Sequence, residues 1–345
     1  MSALYSDSLG SYTFLLFTEC AKIVLLTSLA TALIRSVSWR RVLWRSCIIG
    51  LALLVTLETT GVGRAIAASI YGPATSWSPG GWVYEQLSAP PSELSVEGDT
   101  IEAQAVESTF WGISVLWAFG AVIALLRLIA PRFWVERLLS RSQYVTNRSL
   151  LDTLERLRGD LRIHRPVLLL RATGNVGPLT IGAWRPVILL PENFERCFTQ
   201  RQQEAILAHE LGHIQARDAH WGFLFDMVTA ALWWHPFVWY AKVRNAQTAE
   251  FYADQKAPEC GASAEELATS LVRLGRARLH SNVEEDRQPV GWSALPRLAS
   301  SQLRHRIRFL LNPPDEPSAP SQGLAIASQC GLGILFAIVG ILCLA

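Results

Sequence analysis

At 345 residues, half of them apolar and 17% charged, the chain is longer than one ordinary soluble domain requires and poorer in charge than the roughly 25% of a typical one. The net charge of +2 is too small to suggest nucleic-acid binding, and no Gly-rich phosphate loop, dinucleotide fingerprint or low-complexity repeat occurs. Thirteen tryptophans point instead to a membrane–water interface, which accommodates both the apolar body and the polar N–H of an indole.

Taken in chain order, apolar stretches cover residues 11–34, 42–63, 109–130 and 323–345, each approaching or reaching the ~20 residues that cross a bilayer. The second is the weakest, being interrupted by Arg45 and Glu58. Arg35, Arg40, Arg41 and Arg45 flank the first connection, and Arg127, Arg132, Arg137, Arg141 and Arg148 follow the third stretch, so both regions are expected on the cytoplasmic side. The segment 64–108 has one Arg against six acidic residues and suits the outside. The expected organisation is therefore residues 1–130 as three membrane helices with an outer loop at 64–108, residues 131–322 as a cytoplasmic body, and residues 323–345 as a fourth helix, with both termini outside. Glu19 and Lys22 lie one turn apart in the first stretch and are expected to pair, because an unpaired charge in hydrocarbon is costly.

The six cysteines, Cys20, Cys47, Cys197, Cys260, Cys330 and Cys343, form no Cys-x-x-Cys pair. This argues against a disulfide framework or a thiolate zinc site and predicts buried, inert thiols.

Within the cytoplasmic body a helical pattern covers residues 149–161, followed by extended runs at 166–171, 179–183 and 185–190. Thr199 and Gln202 make a capping box that opens a helix over 199–217. Further helices are predicted over 221–240, 242–257, 263–279 and 300–311, and a Pro-rich linker, 312–322, leads into the last apolar stretch.

The helix 199–217 carries His209-Glu210-Leu211-Gly212-His213. Residues four apart share a helix face, so the two imidazoles can reach one tetrahedral Zn²⁺, with Glu210 beside them to take a proton from bound water. Gly212 is a poor helix former, which suggests close approach of another backbone, with simple tolerance as the competing reading. Glu250, 37 residues after His213, can complete a two-His, one-Glu set that leaves a fourth position open. Asp254, one turn on, is suited to hold a ligand imidazole by its second nitrogen, and Asp218 competes for that role. The apolar segment 219–240 would pass for a further span, but a complete crossing would separate Glu250 from His213. It is read as a buried or membrane-dipping helical hairpin that keeps the site near the bilayer surface. The extended run Leu179, Thr180, Ile181 and Gly182 is a candidate edge strand for aligning a substrate backbone, and a core hairpin without substrate role is the competing reading. Arg244, His220 and Tyr252 are candidates for an additional oxyanion donor.

These residues resemble the antirepressor membrane metallopeptidases of bacterial β-lactam sensing, the BlaR/MecR family. The resemblance lies in the run from Gly177-Pro178-Leu179 through Gly182-Ala183-Trp184-Arg185-Pro186-Val187 to Leu190-Pro191. It continues in His209 to His213 with Arg217-Asp218, in Pro236-Phe237-Val238-Trp239, and in Glu250 to Asp254. It implies a mainly α membrane protein of four transmembrane helices in a bacterial plasma membrane, with an α+β gluzincin-type zinc peptidase domain between the third and fourth. It also implies His209, His213 and Glu250 as ligands of one catalytic Zn²⁺, Glu210 as catalytic base, and cleavage of a cytoplasmic target, usually a winged-helix repressor. Beyond a protein substrate and the lipid bilayer, the candidate partners are a separate sensor protein and a second copy of the chain. Sensing members of the family carry a penicillin-binding domain after the last span, and this chain is expected to lack one. None of its lysines, Lys22, Lys242 and Lys256, follows a Ser by three residues, so a Ser-x-x-Lys acylation site is absent. Two other readings stay open: a processing or quality-control peptidase resembling the HtpX and CAAX-processing group, and a membrane signalling scaffold with a vestigial metal site.

Overall fold

A computed structural model describes residues 2–60, 62, 99–174, 176–281, 299–313 and 322–344. It is mostly helical, with one small four-stranded sheet. Most of the expected outer loop 64–108, and most of the linker 312–322, lie outside the described residues.

Three long apolar helices come from the predicted stretches: α1 (Ser2–Leu33), α2 (Val37–Thr59) and α3 (Asp99–Ser140). Among the described residues two windows are long and apolar enough to cross a membrane, Leu16–Leu33 and Val115–Ser140. α2 is not among them, and it carries Arg40, Arg41 and Arg45 in its first three turns. Helix α3 is longer at both ends than the expected 109–130, and it continues through Pro131. The expected boundary between residues 130 and 131 therefore falls inside a continuous helix. Few residues of its apolar window are buried, and Phe119 and Phe133 are 62% and 68% exposed. The core helix of a water-soluble protein would be mostly covered. Glu19 and Lys22 pair as expected, with Lys22 Nζ 2.6 Å from Glu19 Oε1.

The body between the third and the last apolar helices begins with the short strand β1 (Gln143–Tyr144) and α4 (Arg148–Asp160), capped by Asn147, whose side chain accepts from the Leu150 amide. Strands β2 (Leu168–Arg171), β3 (Leu179–Ile181) and β4 (Val187–Leu190) follow. The sheet order is β1-β2-β4-β3, with β2 and β4 parallel and the other two pairs antiparallel, so β3 is an edge strand. Every residue of β4 is buried, as its unbroken apolar run Val187-Ile188-Leu189-Leu190 requires of a central strand. Gly182 lies just beyond β3 rather than in it, in the turn to β4 at φ +88°, where an added Cβ would fall 2.3 Å from the Arg185 carbonyl oxygen. One core joins Leu150, Leu154 and Leu157 of α4 to Ile188 and Leu190 of β4 and to Phe194 of the short α5 (Phe194–Cys197). It also takes in Ile206, Leu207 and Leu211 of α6 (Gln200–Ala216). The predicted capping box is present, with Thr199 Oγ1 accepting from the Gln202 amide and Gln202 Oε1 accepting from the Thr199 amide.

The apolar segment 219–240 is a helical hairpin, but its break lies earlier than expected. The helices are α7 (Asp218–Ala231) and α8 (Pro236–Glu259), and residues 232–235 form the tip. Pro236 sets the start of α8, because its fixed φ and missing N–H suit the first helical position. The hairpin packs against the apolar helices in a second core, where Phe225, Val228 and Val238 meet Cys20, Val24, Trp44, Ile48 and Leu51. At its tip, His235 Nε2 donates to the Phe17 carbonyl of α1 at 3.0 Å. The Trp233 indole lies on Gly120 of α3, where a Cβ would fall 2.1 Å from the ring. Nearer its base, Phe223 of α7 faces Arg132 of α3 and Tyr240 of α8 shares a 3.0 Å hydrogen bond with Ser28 of α1. The hairpin thus lies along apolar helices over much of their length.

Helices α9 (Ala264–Ser281), α10 (Ala299–Leu311) and α11 (Gln322–Leu344) complete the chain. α11 packs closely along α2, and among its described side chains the apolar stretch is Gly323–Ile338. Of the thiols, Cys20 and Cys47 are buried as expected, whereas Cys197 and Cys330 are exposed because each falls on an uncovered helix face. The Cys343 side chain lies outside the described residues.

Candidate metal centre

Helix α6 supplies His209, Glu210 and His213, and its neighbour α8 supplies Glu250 and Asp254. The two helices come close because Gly212 has no side chain. A Cβ there would lie 3.1 Å from Ala253 Cα and 3.2 Å from Lys256 Cβ. The expected close approach of a second backbone is therefore found, and the backbone is the one bearing the acidic pair.

One nitrogen each of His209 and His213 and one carboxylate oxygen of Glu250 all lie within 4.8 Å of one another. The two Nε2 atoms are 3.3 Å apart, and the Glu250 oxygens stand 3.7 Å from His209 Nε2 and 3.8 Å from His213 Nε2. A tetrahedral ion with bonds of about 2.0–2.1 Å keeps its ligand atoms about 3.3 Å apart, so the three donors fit a zinc ion with small movements. The opposite nitrogen of each ring faces an aspartate: His213 Nδ1 is 2.8 Å from Asp218 Oδ2, and His209 Nδ1 is 3.1 Å from Asp254 Oδ1. Asp218 and Asp254 do not compete for one role. Each faces a different imidazole: Asp218 is hydrogen-bonded to His213, and Asp254 lies at ion-pair distance from His209, positions from which an aspartate can fix the tautomer and ring direction of a metal ligand.

Asp218 reaches His213 because α6 ends at Arg217 in the left-handed region, φ 55°, and this turn carries the chain back beside the helix. Glu210 is buried, and its Oε2 accepts from the Thr180 hydroxyl of the edge strand at 2.6 Å. The candidate base and the candidate substrate strand are therefore in direct contact.

Two arginines complete the centre, and the sequence reading assigned a site role to neither. Arg306 of α10 reaches Glu250 Oε2 through Nη1 at 2.6 Å, and binds both Asp254 oxygens through Nε at 2.8 Å and Nη2 at 2.6 Å. Arg45 of α2 donates to Asp218 Oδ1 at 2.7 Å. Burial alone would raise the Asp254 carboxyl, but Arg306, aided by His209, outweighs it and holds the group at about 2. Glu250 is lowered by the same contest, with Arg306, His213 and His209 prevailing over burial. In the metal-free chain, burial acts to lower His213, and its bond to Asp218 with the charges of Glu250 and Glu210 overcomes this and raises it to about 9.

The oxyanion candidates lie elsewhere. Arg244 donates to Gln247, Tyr252 donates to Gln215 Oε1 at 3.4 Å, and His220 stacks edge-on against exposed Trp184 with ring centroids 5.2 Å apart. Burial, with Arg165 and Arg217, holds His220 below its usual value. Among the described residues none of the three is hydrogen-bonded to His209, Glu210, His213 or Glu250.

The chain is 26% identical over 147 residues to the regulatory protein BlaR1 of Bacillus licheniformis, covering 43% of this chain and 24% of that protein. It is 19% identical over 171 residues to the methicillin resistance mecR1 protein of Staphylococcus aureus strain Mu50, covering 49% of this chain and 28% of that protein. The chain thus spans about a quarter of the length of the curated relatives it matches. The family model described as BlaR1 peptidase M56 matches residues 43–288, which include His209, Glu210, His213, Glu250 and Asp254. The chain belongs to the BlaR1 peptidase M56 family, a family of metallopeptidases.

Proposed function

We propose that the chain is a membrane-embedded zinc metalloendopeptidase that cleaves a cytoplasmic or membrane-proximal protein, in signal transduction by inactivating a repressor. The observation that carries this reading is the convergence of His209, His213 and Glu250 with Glu210 buried beside them. A bound Zn²⁺ supplies Lewis acidity, which acidifies a water and polarises the scissile carbonyl. Glu210 takes the proton of the attacking water and returns it to the leaving amine. His209 and His213 are kept in ligating orientation by Asp254 and Asp218. The outer edge of β3, unpaired in the sheet, offers backbone groups to an extended substrate by β-augmentation, next to Glu210.

The localisation proposed here is a multi-pass plasma-membrane protein in which α1, α2, α3 and α11 cross the bilayer, with its peptidase body on the cytoplasmic side and both termini outside; the spanning windows Leu16–Leu33 and Val115–Ser140 support it. In this arrangement α2 enters the bilayer after its arginine-rich first turns, and the hairpin of α7 and α8 dips among the helices without crossing. Its contacts with Phe17, Ser28, Gly120 and Arg132 support that placement. Both metal-bearing helices then stay on one side.

Elemental analysis of the purified chain tests the metal assignment. One zinc per chain is expected, lost in His209→Ala, His213→Ala and Glu250→Ala, and retained in Glu210→Gln. Full retention in all three ligand variants would exclude this centre.

A further inference from the structure

The aspartate that braces His213 is itself held by an apolar helix. Arg45 lies on the third turn of α2, 4% exposed, and its Nη2 donates both to Asp218 Oδ1 at 2.7 Å and to the Ala216 carbonyl at 3.0 Å. Its guanidinium also stands over the Trp221 ring at 4.8 Å. One side chain therefore grips the end of α6, the start of α7 and the carboxylate turned toward His213 Nδ1. These are the two sides of the left-handed turn at Arg217, which is what brings Asp218 beside His213. An arginine in an apolar helix is costly unless it is paired, and Arg45 finds its pair in the aspartate that orients a candidate metal ligand.

We propose that Arg45 is a positioning residue for the metal centre, which sets the orientation of His213 through Asp218 and makes metal affinity depend on the placement of α2. The inference rests on the zinc reading above and adds a route by which the apolar helices reach the site. α2 is also locked to α11, since a Cβ at Gly333 would fall 2.8 Å from Ile49 Cβ, the close helix contact that small residues allow. A shift of this helix pair against α6 moves Arg45, then Asp218, then the imidazole. A packing or helix-end role for Arg45, through Ala216 alone, would leave His213 unaffected.

The test uses the full purified chain in detergent, with zinc affinity measured by chelator competition and ligand geometry by the absorption spectrum of the Co²⁺-substituted protein. Arg45→Gln is expected to weaken zinc binding about tenfold, the lower end for losing an outer partner of a ligating His. Asp218→Asn is expected to weaken it at least as much. The double variant should bind no more weakly than Asp218→Asn alone, because the effect of Arg45 passes through that carboxylate. Arg45→Gln and Asp218→Asn should shift the Co²⁺ spectrum in the same direction. Should Arg45→Gln not fold, Arg45→Lys carries the test. It keeps the charge but not the planar fork, and a loss of about threefold is expected, absent in the Asp218→Asn background. Unchanged zinc affinity and Co²⁺ spectrum in the Arg45 variant, or additive losses in the double variant, would overturn the proposal while leaving the metal centre standing. A wild-type chain that binds no zinc would overturn the metal reading itself.

Discussion

The hydroxyl of Thr180 donates to the Glu210 carboxylate at 2.6 Å, which ties the edge strand of the sheet to the candidate base on α6. A hydrogen bond to a charged group is worth about 1.5–3 kcal/mol, and here it also fixes where the carboxylate points. Thr180→Val keeps the branched shape and removes the donor. We expect the cleavage rate to fall about tenfold or more, each tenfold being about 1.4 kcal/mol of barrier, with zinc content unchanged. Steady-state kinetics on a cleaved peptide, paired with elemental analysis, checks this.

Arg306 neutralises two carboxylates at once, and one of them, Asp254, has no exposure to solvent. Removing one partner of a buried pair costs about 3–5 kcal/mol, because the other charge is left uncompensated. Arg306→Gln should therefore lower the denaturation midpoint of the metal-free chain and also weaken zinc binding by about 10-fold or more. Chemical denaturation and chelator competition measure the two effects separately.

The pH dependence follows from His213, which stands at about 9 in the metal-free chain against an ordinary 6.5. A raised folded-state value contributes stability that is fully present below 6.5 and is lost as the pH rises through about 9. The metal must displace that proton, so zinc affinity runs the other way and should rise by up to about tenfold per pH unit across the same window. Metal-free stability and zinc affinity thus have opposite slopes. In Asp218→Asn, which removes the largest of the influences raising His213, both slopes should flatten. Denaturant titrations and chelator competition at several pH values read them.

Gly212 sets the spacing of α6 and α8. Gly212→Ala needs a shift of a few tenths of an ångström, offset by a helix propensity gain of about 1 kcal/mol, so it should be nearly neutral in stability. Gly212→Leu cannot be absorbed in this way and should cost about 1–3 kcal/mol, with zinc affinity falling as Glu250 is pushed from the histidines. Thermal unfolding with and without zinc distinguishes the two variants.

Local signals made much of this molecule legible in its sequence. The capping box at Thr199 and Gln202 marked the start of α6, the four-residue spacing put both histidines on one face, and Gly212 foretold a close neighbour. Glu250 and Asp254 were readable because one helical turn separates them. The arginines were not. α10 carries Arg304, Arg306 and Arg308, and only the packing of α10 on α8 determines which of them turns to Asp254, 52 residues away in the chain. Arg45 read as a defect in an apolar stretch, because its partner Asp218 lies 173 residues on. Thr180 was recognised as strand, but its bond to Glu210 depends on the sheet edge meeting α6. The break of the hairpin is hard to place from hydropathy, because residues 221–240 are largely apolar, interrupted by Asp226 and His235; Pro236 is the local signal that sets it.

The central claim, that this centre hydrolyses peptide bonds with Glu210 as base, is tested most directly by comparing protein termini in cells carrying wild type and Glu210→Gln. Both proteins must be present in equal amount, and both must bind zinc. The account predicts at least one cleavage product, with its new N-terminus, formed only with wild type. Identical termini together with full biological output from the zinc-bound Glu210→Gln protein would contradict it.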